Sequence, residues 1–258
     1  MAECTVRGVR FHVQRMGAGA RTVVFLHGLV MDNLSSWYFT VANPVAKECA
    51  VLLYDLRGHG RSERPKTGYT VADMVADLAG ILEEAGIDQP VDLVGNSFGG
   101  LLALAFASAH PERVSGVVLV DAHTSDEGWG LSMAETLGLE GEERDKMIAE
   151  SFQSWLGRHS ERKRNRVAQV ARELVYDTSL VRDLRDSPPF STEALQEITC
   201  PVLAIYGERS DVRTRGEWLA SVLPDCQLRL LDGCTHSVLW EATDVVRQAV
   251  LRFVGRSV

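Results

Sequence analysis

The chain has 258 residues, near the upper end of what one hydrophobic core supports, so a single α/β domain with an insertion is the first expectation. Apolar residues make up 45% of it and charged residues 24%, an ordinary globular balance that argues against long disorder. The formal net charge of -8 disfavours a nucleic-acid partner, which needs a basic face to displace counterions, and no apolar stretch reaches the about 18 residues that a membrane span requires.

An alternating stretch, 5–15, broken at Gly8, predicts an antiparallel hairpin at a sheet edge. Short, near-continuous runs of Val, Leu and Ile follow at 22–27, 51–55, 91–95, 114–121, 201–207 and 227–231. Runs of that kind suit parallel strands covered on both faces. Helical patterns separate the later ones, at 71–85, 98–109, 214–223 and 243–254. The alternation fails between Asp121 and Pro201, where charge and helix formers dominate over a span too long for a loop inside a compact domain. Residues 122–200 are therefore expected to form a helical cap inserted into a core made of 1–121 and 201–258. Within the cap, Arg158, Arg162, Lys163, Arg164 and Arg166 read as a solvated helix face.

Five cysteines, Cys4, Cys49, Cys200, Cys226 and Cys234, form an odd set without metal-like spacing, and no basic segment followed by an apolar run opens the chain. A reduced cytoplasmic setting is expected, with thiols packed as small hydrophobes and with neither metal nor organic cofactor.

The sharpest local signal is GNSFG, Gly95 to Gly99, directly after one predicted strand and directly before a helix. This is the context that the G-x-S-x-G motif requires. A strand-to-helix turn that sharp forces Ser97 into strained backbone geometry, and side chains two residues to either side would collide, hence glycine at both positions. Around this turn the chain resembles the α/β-hydrolase fold family over nearly all of its length except the helical interval. HGLV at 27–30 resembles the loop after an early strand, DLRGHGRS at 55–62 the turn after the next strand, and AHPERV at 109–114 the link out of the nucleophile helix.

That resemblance implies a mostly parallel sheet covered by helices on both faces, with Ser97 as nucleophile and His236, in DGCTHS, as general base. It implies oxyanion contacts from the backbone amides of Leu29 and Phe98, and structural, loop-shaping roles for His27 and His59. His123 is the one serious rival base. For the acid, GERSD offers Asp211, four positions past Gly207, which is one variant of the family pattern; another places the acid one position earlier, at Ser210. Asp211 leads, Asp121 is the second choice, and Glu208 reads as a surface residue.

Serine at 97 excludes the dehalogenases and epoxide hydrolases of this fold, which attack with aspartate. Esters, thioesters, lactones, amides and carbon–carbon bonds beside a ketone remain. GNSFGG resembles the turn of ring-cleavage-product hydrolases, yet HGLVMDN lacks their Gly-rich loop, so cleavage of a small ester or thioester stands first. Carbon–carbon cleavage, or transfer and cyclisation through the same acyl-enzyme, comes second. A non-catalytic binding protein is less favoured, because nucleophile, base and acid are all retained. Trp37, Trp129 and Trp155 are the aromatic residues expected to contact a small-molecule substrate; no nucleic-acid or membrane partner is expected, and oligomeric state is open.

Overall fold

The computed structural model describes residues 2–139, 141–143 and 161–256. Eight strands form one sheet: β1 (Ala2–Val6), β2 (Val9–Met16), β3 (Thr22–Leu26), β4 (Ala50–Tyr54), β5 (Val91–Asn96), β6 (Val114–Val120), β7 (Val202–Gly207) and β8 (Cys226–Leu231). Their spatial order is β1-β2-β4-β3-β5-β6-β7-β8. The hairpin β1–β2 turns at Arg7 and Gly8, both at positive φ, and pairs antiparallel with β4; every other pairing is parallel. Predicted limits of the parallel strands hold to within a residue because each apolar run is bounded by the turn residues that end it, whereas the hairpin begins at Ala2, three residues before the predicted start.

Register decides what this sheet presents. Leu26 lies opposite Gly95, Asn96 opposite Val120, and Val120 opposite Ile205, so the carboxyl ends of β3, β5, β6 and β7 finish level. Loops leaving those ends meet along one edge, which is where open parallel sheets carry their sites.

Helices cover both faces. Phe98–Ala109 is apolar all round and buried from Phe98 to Ala107, as a helix packed between sheet and neighbours must be. Thr243–Val254 instead buries only Val246, Ala249, Val250 and Val254, a spacing of about one turn, and keeps its charges outside. Val71–Glu84 starts at Thr70, whose hydroxyl accepts the Asp73 amide at 3.0 Å, satisfying an amide that the first turn leaves without an intrahelical acceptor.

The loop after β4 is held by an interior ion pair. Arg57 donates to both carboxylate oxygens of Asp77, at 2.6 and 2.5 Å, with both side chains buried. Asp77→Ala leaves that guanidinium unpaired away from water, and the expected cost is about 3 to 5 kcal/mol of stability, read as a lowered denaturant midpoint. A change under about 0.5 kcal/mol would mean that water reaches the guanidinium and replaces the lost partner.

Between β6 and β7 the described residues form only helices and loops: Trp129–Leu137, Glu161–Asp177, Leu180–Arg185 and Thr192–Gln196. Trp129–Leu137 and Leu180–Arg185 approach closely at Gly130, where a Cβ would stand 2.4 Å from the Leu184 carbonyl oxygen. The segment is tied to the sheet domain by the Tyr69 amide, which donates to Asp183 at 2.9 Å, and by Arg64, which donates to Glu173 at 2.6 Å. Trp155 and the side chains of the basic cluster, Arg158, Arg162, Lys163, Arg164 and Arg166, lie outside the described residues. No described helix is long and apolar enough to cross a membrane. Cys49 is buried and the other four cysteines are half-buried; desolvation pushes the Cys200 and Cys226 thiols up to about 11, which keeps both protonated.

Candidate active site

Ser97 sits at the turn between β5 and the helix Phe98–Ala109 with φ 51° and ψ -121°, outside the regions that L-residues favour. The flanking glycines have the reason that the motif suggested. A Cβ on Gly95 would lie 2.3 Å from the Gly99 carbonyl oxygen, and one on Gly99 would lie 2.3 Å from that of Leu26. The Ser97 amide donates to the Val120 carbonyl at 3.0 Å and the His123 amide to the Ser97 carbonyl at 3.1 Å, so β6 and its following loop brace the strained turn.

His236 comes from the loop after β8. Its Nε2 lies 3.0 Å from Ser97 Oγ, and its Nδ1 lies 2.7 Å from Asp121 Oδ2. Since a carboxylate only accepts, Nδ1 carries the hydrogen and Nε2 is free to accept one from the serine. The loop is fixed from behind: Glu241 accepts the Thr235 amide at 2.7 Å and hydroxyl at 2.9 Å, while Glu208 accepts the Gly233 amide at 3.0 Å. Glu208 thus shapes the histidine loop and makes no contact with the imidazole.

Asp211, the leading sequence candidate for the acid, is corrected by the geometry. Its nearest oxygen is 3.8 Å from His236 Nδ1 and its side chain is 78% exposed, whereas the Asp121 side chain is buried against the ring. Asp121 has a positive φ of 47°, which swings its carboxylate under the β7 loop. There Oδ1 accepts the Gly207 amide at 2.7 Å and Oδ2 accepts the Ser210 hydroxyl at 2.5 Å as well as the imidazole. Ser210 escaped the sequence reading as a site residue: it stands at the alternative acid position and holds, by hydrogen bond, an acid from the neighbouring strand.

A nucleophile turn, an imidazole and a carboxylate at the carboxyl edge of such a sheet accompany a sequence match to the alpha/beta hydrolase fold family model over residues 21–242. The chain belongs to the α/β-hydrolase fold family. A relative from Paraburkholderia phymatum, named 2-hydroxy-6-oxononadienedioate/2-hydroxy-6-oxononatrienedioate hydrolase, is 30% identical over 96% of this chain and 92% of its own. A more local likeness, 40% over 115 residues, is to the dihydrolipoyllysine-residue acetyltransferase component of the acetoin cleaving system of Cupriavidus necator; it spans 45% of this chain and 30% of that protein. Among solved structures, the enol-lactonase of Burkholderia xenovorans LB400 superposes with a TM-score of 0.79 at 24% identity, over 99% of this chain and all of that one.

The loop after β3 shares the cleft with Ser97, and the helix Phe98–Ala109 starts directly after it. Phe98 is the first residue of its helix, where an amide has no intrahelical acceptor, and Leu29 lines the cleft beside Ser97. The Leu29 loop is held by histidines, as the resemblance implied. His27 donates from Nδ1 to the Gly28 carbonyl at 2.7 Å and accepts the Leu56 amide at 2.9 Å. His59 donates from Nδ1 to the Arg57 carbonyl at 2.8 Å and accepts the Val30 amide at 2.7 Å, fixing Val30 at a φ of 63° that a β-branched residue rarely tolerates. Burial first, and the neighbouring His27 second, bring His59 down to about 3, so it stays neutral and able to accept.

Electrostatics separates His236 from its rival His123. Burial pulls His236 down, but the Asp121 hydrogen bond and charge, helped by Asp211, outweigh it and raise the imidazole above its ordinary value. His123 stands 5.3 Å away, ring centre to ring centre; burial, then the charges of His236 and Arg215, hold it well below the usual range. The hydrogen bond to the serine belongs to His236.

The aromatic candidates divide. Trp37 is removed from the cleft: it is fully buried against Phe25, and its indole N–H donates to the Leu26 carbonyl at 2.8 Å. Trp129 stacks on Phe98 at 6.2 Å and lies 6.3 Å from the His123 ring, next to the nucleophile turn. The cleft itself is lined by Leu29, Asp32, Asn96, Ser97, His236 and Trp240, with apolar neighbours.

Proposed function

We propose that this α/β-hydrolase cleaves the carbon–carbon bond beside a ketone in a vinylogous diketone, with Ser97 as nucleophile, His236 as base and Asp121 as the acid that orients it. The observation that carries the chemistry is the unbroken hydrogen-bond chain from Ser97 Oγ through His236 to Asp121. In this reading Ser97 Oγ attacks the ketone carbon while Nε2 takes its proton, and the amides of Leu29 and Phe98 receive the oxygen that becomes negative. Collapse breaks the carbon–carbon bond, and the departing dienolate takes the proton back from His236. Water then attacks the acyl-enzyme through the same base, releasing the acid and restoring the serine. In this reading the insertion at 122–200 is the cap, and Trp129, buried against Phe98, backs the nucleophile turn.

The bond type rests on kinship, since the full-length relative is named for hydrolysis of a 2-hydroxy-6-oxo dienedioate, whose 6-oxo carbon is such a ketone. That reverses the order in which the sequence motifs ranked the two reactions. Ester or lactone cleavage stays as the second reading because Asp32 stands in the cleft where the ring-cleavage-product hydrolases resembled by GNSFGG would carry a Gly-rich loop.

Kinetics on a 2-hydroxy-6-oxo dienoate and on an aryl ester of similar size separates the two. The diketone is expected to show the higher kcat/KM by about 10²-fold, followed by loss of its conjugated absorbance. Turnover of the aryl ester with none of the diketone would give the site to ester chemistry.

A further inference from the structure

The HGLVMDN loop places a carboxylate in the cleft, and nothing in the proton-transfer chain uses it. Asp32 Oδ2 accepts the Gly28 amide at 2.8 Å and faces the Asn96 side-chain nitrogen at 3.4 Å; Oδ1 accepts the Asn33 amide at 2.8 Å. These contacts fix the carboxylate and settle which end of the Asn96 amide faces it, because a carboxylate accepts and only the NH₂ end donates. They also bring it close to the reaction centre. A Cβ on Gly28 would stand 3.2 Å from Asp32 Oδ2, 3.4 Å from Asn96 Nδ2 and 3.6 Å from Ser97 Cβ, so all three groups converge on one point of the oxyanion loop.

Among the described residues lining this cleft no lysine or arginine offsets that charge; Asp32 and His236 are its ionisable members. We propose that Asp32 is a specificity-determining residue: it excludes substrates that bring a carboxylate into the cleft and admits those whose group there is uncharged or offers a hydrogen-bond donor. The inference rests on the serine-hydrolase reading of the site and narrows its substrate class. A dienedioate such as the one in the relative's name carries a carboxylate at each end of its carbon chain, whereas this cleft calls for a diketone or ester with a neutral arm beside the reacting carbonyl.

Two like charges about 6 Å apart at the effective dielectric of a partly exposed site repel enough to change binding on the order of 10²-fold. The test uses two matched pairs of esters. One pair puts the charge on the acyl arm, 4-nitrophenyl pentanoate against the 4-nitrophenyl half-ester of glutarate. The other puts it on the leaving arm, phenyl butyrate against its 3-carboxyphenyl analogue. In the acyl-arm pair the wild type is expected to prefer the neutral ester by about 10-fold or more in kcat/KM, with the preference shrinking as salt rises, while the leaving-arm pair serves as the control. Asp32→Asn keeps shape and removes charge, and it is expected to shrink the preference in the acyl-arm pair by about 5-fold or more.

The salt series on wild type needs no variant, so a misfolded Asp32→Asn does not rescue the idea. A wild-type preference near one in the acyl-arm pair, or a preference there insensitive to salt and unchanged in Asp32→Asn, overturns it. If a fluorophosphonate labels Ser97 and those ratios are flat, the specificity role alone falls. If wild type neither labels nor turns over any ester or diketone, the hydrolase reading falls and takes this one with it.

Discussion

Ser97→Ala is expected to leave only the roughly 10³ to 10⁴-fold acceleration over water that binding and oxyanion contacts sustain without a nucleophile. The reason is local: Ser97 Oγ is the one side-chain atom on the nucleophile turn within hydrogen-bond reach of His236 Nε2, at 3.0 Å. Alanine keeps the Cβ, so the strained φ of 51° costs the variant no more than it costs wild type, and the flanking glycines still admit the turn. Folding should therefore survive, as circular dichroism would show, while turnover of the preferred substrate falls to that residual and fluorophosphonate labelling disappears. An alanine variant with more than about a tenth of wild-type kcat would end the proposed role of residue 97.

The larger lesson in geometry lies in the acid. Asp121→Asn should lose on the order of 10⁴ in kcat, and Asp211→Asn less than about threefold, as an exposed charge 3.8 Å away would. At position 121 an amide oxygen is drawn to the Gly207 N–H, which can only donate, and this turns the NH₂ toward His236. The imidazole then has to accept at Nδ1 and carry its hydrogen on Nε2, the tautomer that cannot take a proton from serine. The pH profile adds an independent reading. His236 is raised above its ordinary value and works as a base only when neutral, so kcat/KM should fall as pH drops through that raised value. Removing Asp211 withdraws one raising influence and moves the acidic limb to lower pH while leaving the plateau nearly intact. The reverse pattern, with Asp211→Asn crippled and Asp121→Asn active, would return the acid to the loop after β7.

Some of this site was legible because its determinants are contiguous. The spacing of Gly95, Ser97 and Gly99 encodes a backbone collision that any fold with that turn must avoid, and the apolar runs around it encode a sheet with both faces covered. His236 was legible for a similar reason, standing in a short loop between the last strand and a terminal helix. Trp37 illustrates the opposite case. It lies near the HG loop in sequence, but a buried indole N–H needs an acceptor, and the Leu26 carbonyl supplies one on the core side of the sheet.

By itself, then, the sequence determined the α/β architecture, the strained turn at Ser97 and the proposed base His236, since each depends on residues within a few positions of one another. Only the tertiary structure decided between two aspartates lying at the ends of adjacent parallel strands. Register sets the ends of β6 and β7 level, and the choice turned on Asp121 at positive φ, held by the Gly207 amide and the Ser210 hydroxyl from across the strand gap. Those are contacts between segments about 90 residues apart, and no spacing along the chain records which of two nearby carboxylates is buried and which stays in water.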